Sequence, residues 1–267
     1  EIPLRLVGSE MCIRDSKKGM VRGGNAMKLM THVYQVGGVS LSHFFDATAY
    51  LIEGAEGLYL IDCGTPEGFG QIVQNIRTLG FDPADIREIY GTHGHYDHVG
   101  AAALFREAFG CRLYLHEADK KQVEQGDPVR TTAQLLYGKE FPCCPVDKEL
   151  EDGEKISFGN GISMEVLHTP GHTPGSVCFA MDADGFSFLI AGDTLHGGFS
   201  AEIGSDETAW KKSLDKLTER HFDAFTFGHV GANVICDADT RIAELKKQFA
   251  TYYNPWFKAM KDTFRYA

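Results

Sequence analysis

The sequence predicts an α/β fold of two stacked β-sheets flanked by helices. Strand-type and helix-type segments alternate from Thr31 onward. The two halves of the chain share one order, strands and then a helix. Residues able to hold a metal fall just past strand ends, the usual place for a site in α/β proteins.

The chain has 267 residues, 43% of them hydrophobic, enough to bury a large core. Its formal net charge is -11, and no basic stripe is present. A nucleic-acid partner is therefore not expected, because phosphate neutralisation needs clustered Lys and Arg. No apolar run reaches the roughly 18 to 20 residues that span a bilayer, so no membrane partner is expected either. Seven cysteines are scattered without a CxxC pair, which argues against a zinc ribbon or a thioredoxin-type motif. Adjacent Cys143 and Cys144 read as two loop residues, and free thiols point to the cytoplasm.

Residues 1–26 look foreign to the rest. They show no sustained period of 2 or 3.6 and no continuous apolar segment of the secretory type. The string from Leu6 to Asp15 resembles a translated adaptor artefact. A non-native or disordered extension is expected here, with the natural start at Met20 or Met27. A single domain is expected over 27–267, ending in helices.

Residues 31–36, 47–53 and 58–61 read as strands, the last two joined by a Gly-Ala-Glu-Gly turn at 54–57. The segment 40–46, with His43, Phe44, Phe45 and Asp46, is either a loop over a site or a packed connection. A helix over 68–79 places Ile72, Ile76 and Leu79 on one face and stops at Gly80. Residues 86–90 form a short apolar strand, 99–109 a helix closed by Gly110, and 113–115 another strand. The stretch 117–144 reads as helical and then irregular. Strands follow at 156–158, 162–167, 176–181 and 186–190, separated by glycine or aspartate turns. A helix over 206–220 aligns Trp210, Leu214 and Leu217, and 222–227 is a strand. The chain closes with a helix over 239–253 and a final one from Asn254, an N-cap, to about Tyr266. Tyr252, Tyr253, Trp256, Phe257 and Phe264 there suit a core or a subunit contact, which allows a homodimer.

The strand at 86–90 runs directly into Thr-His-Gly-His-Tyr-Asp-His-Val-Gly, residues 92–100. His93, His95, Asp97 and His98 fall within six positions. Neutral imidazole is the commonest zinc ligand, and a carboxylate is an acceptable harder partner. Three more candidates lie just past strand ends beside glycine: His172 in Pro170-Gly171-His172, Asp193 after Gly192, and His229 after Gly228. Seven ligands are too many for one open site. They divide into two sets, His93, His95 and His172 for one metal, Asp97, His98 and His229 for another, with Asp193 bridging. Metals roughly 3.5 to 4 Å apart can share a water and lower its pKa toward about 7, so no Ser or Cys nucleophile is required. Asp97 is also expected to orient that water.

These ordered motifs resemble those of the metallo-β-lactamase superfamily from about Val33 to Gly231. The resemblance implies a four-layer αβ/βα sandwich of two mixed β-sheets, with a dinuclear site at one edge. The expected activity is a two-zinc hydrolase (Fe or Mn as the alternative metals) of an ester, lactone or lactam in a small-molecule substrate. His196 stands where acyl-homoserine-lactone lactonases of the superfamily carry a tyrosine, and it can hydrogen-bond a leaving group. His32, His116, His168 and His221 read as structural or surface residues. Residues 74–81 with Asp85-Ile86 are similar to the third subclass of zinc β-lactamases, although those enzymes usually lack an aspartate like Asp193. Gly192-Asp193-Thr194-Leu195 is similar to hydroxyacylglutathione hydrolases, whose basic C-terminal segment is not found here. A mononuclear iron persulfide dioxygenase and a metal-binding protein without catalysis are the remaining alternatives.

Overall fold

The computed structural model describes residues 26–229 and 234–251. The expectations for 1–25 and for the final helix with its aromatic residues lie outside them.

A seven-stranded sheet contains, side by side, β1 (Met27–Met30), β2 (Val33–Gly37), β3 (Ala49–Glu53), β4 (Leu58–Ile61), β5 (Ile86–Tyr90), β6 (Arg112–His116) and β7 (Lys148–Leu150). The first four pair antiparallel, and β4 to β7 pair parallel. Helices α1 (Phe69–Thr78), α2 (Tyr96–Val99), α3 (Ala102–Phe109) and α4 (Glu117–Gln125) belong to this half. The second sheet has β8 (Lys155–Gly159), β9 (Ile162–His168), β10 (Val177–Ala183), β11 (Phe186–Ile190), β12 (Ala224–Thr226) and β13 (Ile235–Cys236). It is mixed too, because β11 and β12 run parallel while its other pairs are antiparallel. Helices α5 (Glu207–Thr218) and α6 (Ala238–Thr251) follow.

Strand alternation explains the layers. Successive side chains of a strand point to opposite faces. In β4, Leu58 and Leu60 pack with Ile72, Ile76 and Phe105 of the helices, whereas Tyr59 and Ile61 pack with Phe158, Phe179 and Phe188 of the other sheet. In β11, Phe188 and Ile190 join that inter-sheet core, and Leu189 meets Trp210 and Leu214 of α5. Both faces of each sheet are therefore apolar and covered. The order is helix, sheet, sheet, helix, as expected.

Local departures have clear causes. The helix expected over 99–109 begins at Tyr96 and breaks at Gly100-Ala101, because the Ala101 N–H donates to the Gly64 carbonyl at 2.9 Å instead of continuing the helix. The segment 40–46 is both a packed connection and an exposed loop. Asp46 is 1% exposed and accepts from the Thr65 N–H and hydroxyl at 2.8 and 2.6 Å, while Phe44 is 65% exposed. Part of the irregular stretch after α4 forms a π-helical turn over Ala133–Tyr137.

Candidate metal centre

Four strand ends deliver seven side chains to one place. The chain leaves β5 at Tyr90, passes His93 and His95, and enters α2, which carries Asp97 and His98. His172 lies between β9 and β10, Asp193 follows β11, and His229 follows β12. Backbone bonds lock these loops together. The Ala47 N–H donates to the Asp97 carbonyl, Cys63 N–H to His98, Thr48 N–H to Gly228, and Gly228 N–H to Gly192.

The candidate ligand atoms form three overlapping groups, each within 4.8 Å: His93 with His95 and His172, His93 with His98 and Asp193, and Asp97 with His98 and His229. His95 Nδ1 lies 3.0 Å from His93 Nε2 and 3.1 Å from His172 Nε2. Tetrahedral bonds of about 2.0–2.1 Å put neighbouring ligand nitrogens about 3.4 Å apart, so the three imidazoles are spaced to hold one ion. Asp97 Oδ2 lies 3.2 Å from His229 Nε2 and 3.7 Å from His98 Nε2. Asp193 stands between the groups. Its Oδ2 is 3.5 Å from His172 Nε2 and 3.3 Å from His229 Nε2, and its Oδ1 is 3.4 Å from His98 Nε2.

Burial strengthens the fit. His98 Nε2, Asp193 Oδ1 and His95 Nε2 are buried without a hydrogen-bond partner. Buried polar atoms are normally paired. A divalent cation would satisfy His98 Nε2 and Asp193 Oδ1. Imidazole and carboxylate donors without thiolates suit zinc, iron and manganese alike, so the donor set alone does not choose the metal.

The two groups differ in charge. Burial, aided by neighbouring histidines, holds His93 and His95 well below the usual imidazole range, and burial lowers His172 as well. These three are neutral, which is the ligating form. Burial also opposes a charge on His98, but Asp62, Asp97 and Asp193 outweigh it and push its pKa up to about 10. Against burial, Asp193 and Asp97 likewise hold His229 well above the usual range. Burial opposes ionisation of Asp97, yet His98 and His229 pull it down to about 2. The same two histidines, against burial, keep Asp193 well below the usual carboxylate range.

A supporting residue absent from the sequence reading is Asp62. Its Oδ2 lies 2.7 Å from His98 Nδ1, and it accepts from the Thr92 N–H and hydroxyl at 2.8 Å each. Similarly, His172 Nδ1 donates to the Gly198 carbonyl at 2.6 Å, leaving Nε2 to face His95. The place of Asp62 immediately after the strand at 58–61 was its only sequence signal.

His196 lies outside the seven-residue cluster. It is exposed, and its ring packs 5.2 Å from Phe227. His116 and His168 stack at 3.8 Å, His221 meets Asp239 at 2.6 Å, and His32 meets Glu53 at 2.9 Å.

Comparison with known proteins agrees with this geometry. The family model of the metallo-beta-lactamase superfamily matches residues 44–229, the span that carries all seven residues. The chain is 29% identical over 202 residues to a probable metallo-hydrolase of Methanocaldococcus jannaschii, covering 69% of this chain and 88% of that protein. It is 34% identical over 177 residues to a probable metallo-hydrolase of Bacillus subtilis, covering 66% of this chain and 77% of that protein. Among solved structures, a motif variant of a metallo-beta-lactamase from Cronobacter sakazakii superposes with a TM-score of 0.71 at 25% identity, covering 84% of this chain and 95% of that one. The chain therefore belongs to the metallo-β-lactamase superfamily and is one of its metal-dependent hydrolases.

Proposed function

We propose that the chain is a dinuclear zinc hydrolase of small molecules that carry an ester, lactone or lactam carbonyl. The observation that carries this reading is the position of Asp193. One carboxylate reaches His172 of the three-histidine group and His98 and His229 of the aspartate group, at 3.3 to 3.5 Å. His93, His95 and His172 would hold one ion, Asp97, His98 and His229 the other, and Asp193 both. Two bound zinc ions would lower the pKa of a water toward about 7 and polarise the substrate carbonyl. Against burial, His98 and His229 hold the Asp97 carboxyl pKa down to about 2, and as a carboxylate it can accept a hydrogen bond from the attacking water and orient it. We assign His196 the lesser role of hydrogen-bonding a leaving group, which its exposure supports.

The six cysteines among the described residues are all free, which supports a reducing compartment and hence the cytoplasm. No helix among the described residues is long and apolar enough to cross a membrane.

Hydrolysis of a β-lactam is the second reading, favoured by the likeness to solved metallo-β-lactamases. The zinc-loaded protein, offered a panel of lactones, thioesters, β-lactams and phosphodiesters, is expected to open an ester, lactone or lactam. Oxygen consumption with a persulfide by an iron-loaded form, without hydrolysis of any panel member, would contradict the proposal.

A further inference from the structure

We infer that Asp119 is a positioning residue that fixes the three-histidine group by tying its two loops together. Asp119 lies in the first turn of α4 and is fully buried. It is separated from every candidate ligand in sequence and touches none of them through the bonds it accepts. Its Oδ2 accepts from the Gly94 N–H at 2.9 Å and from the Thr173 hydroxyl at 2.7 Å. Its Oδ1 accepts from the Gly175 N–H at 2.9 Å. Gly94 stands between His93 and His95, and Thr173 directly follows His172. One carboxylate thus holds the backbone on either side of the place where these three imidazoles meet.

The glycines make this approach possible. A Cβ at Gly175 would lie 2.5 Å from Asp119 Cγ, and a Cβ at Gly94 would lie 2.5 Å from Gln122 Nε2 and 3.2 Å from Asp119 Cβ. A larger residue at Gly175 would push that loop off the Asp119 carboxylate, and one at Gly94 would force the Gln122 side chain aside and crowd Val123 and Asp119. Thr173 is held in turn by Ser176, whose hydroxyl lies 2.8 Å from the Thr173 hydroxyl and accepts from the Thr173 N–H at 3.0 Å. The His93, His95 and His172 nitrogens sit at 3.0 and 3.1 Å, so a small shift of one loop against the other opens the set. Among the described residues Asp119 accepts no bond from the loops of Asp193 and His229, and its one bond to the segment that also carries Asp97 and His98 is at Gly94, between His93 and His95. The larger effect is therefore expected at the three-histidine ion.

This inference rests on the assignment of His93, His95 and His172 to one ion, and the test separates the two claims. Zinc affinity is measured by competition with a chromophoric chelator in two backgrounds. His229→Ala leaves the three-histidine group complete, and His172→Ala leaves the aspartate group complete. Asp119→Asn is expected to weaken zinc about tenfold in the first background, at the low end of what outer-shell partners contribute. In the second it is expected to change affinity less than about twofold. Thr173→Val should weaken zinc in the first background and Thr173→Ser should restore it, a comparison that remains decisive if Asp119→Asn does not fold. Unchanged affinity in the first background, or equal weakening in both, overturns the role of Asp119. A parent chain that binds one zinc instead of two overturns the dinuclear reading, and the effect of Asp119→Asn on that single ion still judges Asp119.

Discussion

Asp62 Oδ2 sits 2.7 Å from His98 Nδ1, with both side chains buried. The bond turns His98 so that Nε2 faces Asp97 and Asp193. Partners of this kind orient a ligating histidine and raise its basicity. Asp62→Asn is expected to weaken zinc at the aspartate group by about ten- to a hundredfold, measured by chelator competition, while the three-histidine group keeps its affinity. Equal loss at both groups would assign Asp62 a purely structural role.

The two groups should respond differently to pH. In the metal-free chain the His98 pKa is raised from 6.5 to about 10, so its proton contributes stability that is fully present below pH 6.5 and lost as pH rises through about 10. Zinc must displace that proton. Apparent zinc affinity in the His172→Ala variant should therefore rise between pH 6.5 and 9, by up to about tenfold per unit for each proton displaced. His93 and His95 are held neutral, so the His229→Ala variant should show a much flatter profile. Titration calorimetry in buffers of different ionisation enthalpy reads the released protons directly.

Gly228 is a steric keystone of the site. A Cβ there would lie 2.1 Å from Asp193 Oδ1 and 2.9 Å from His98 Cε1. Gly228→Ala should displace the Asp193 carboxylate. The expected result is loss of at least one zinc equivalent, with hydrolysis falling at least about a hundredfold and the far-ultraviolet circular dichroism retained. Full zinc loading in this variant would show that Asp193 does not sit between the ions.

The seven candidate ligands were legible because metal chemistry has a dense sequence signature: His-x-His-x-Asp-His after a strand, then single His or Asp residues beside glycine at three more strand ends. Asp62 and Asp119 have no such signature. Each is a lone carboxylate whose role appears only when the fold brings Thr92 and His98, or Gly94, Thr173 and Gly175, within 3 Å. The strands that escaped are edge pieces. Met27–Met30, Lys148–Leu150 and Ile235–Cys236 are too short to show a clear alternation of period 2, and only pairing with β2, β6 and β12 defines them. The stacked sheets with flanking helices were legible in the order of strands and then a helix shared by the two halves, and in the fold strands such as β4 are apolar on both faces.

Removal of a ligand should separate activity from folding. Asp97→Ala and His172→Ala are each expected to abolish turnover, a loss of at least about a thousandfold, with sheets and helices preserved. Circular dichroism and thermal melting without metal check the second half. His172→Ala should melt within a few degrees of the metal-free parent, because the large cores lie between sheets and helices. Asp97→Ala removes a carboxylate that supports the charge on buried His98 and His229, and should melt lower while keeping its sheets and helices. Full activity in either variant would remove that residue from the site.

The most direct test of the account is the metal content of the purified chain after dialysis against zinc, compared with that of His229→Ala. Two zinc ions per chain in the parent and one in the variant are predicted. One ion per chain in both, or a single tightly held iron in the parent, would contradict a site in which Asp193 joins two metals.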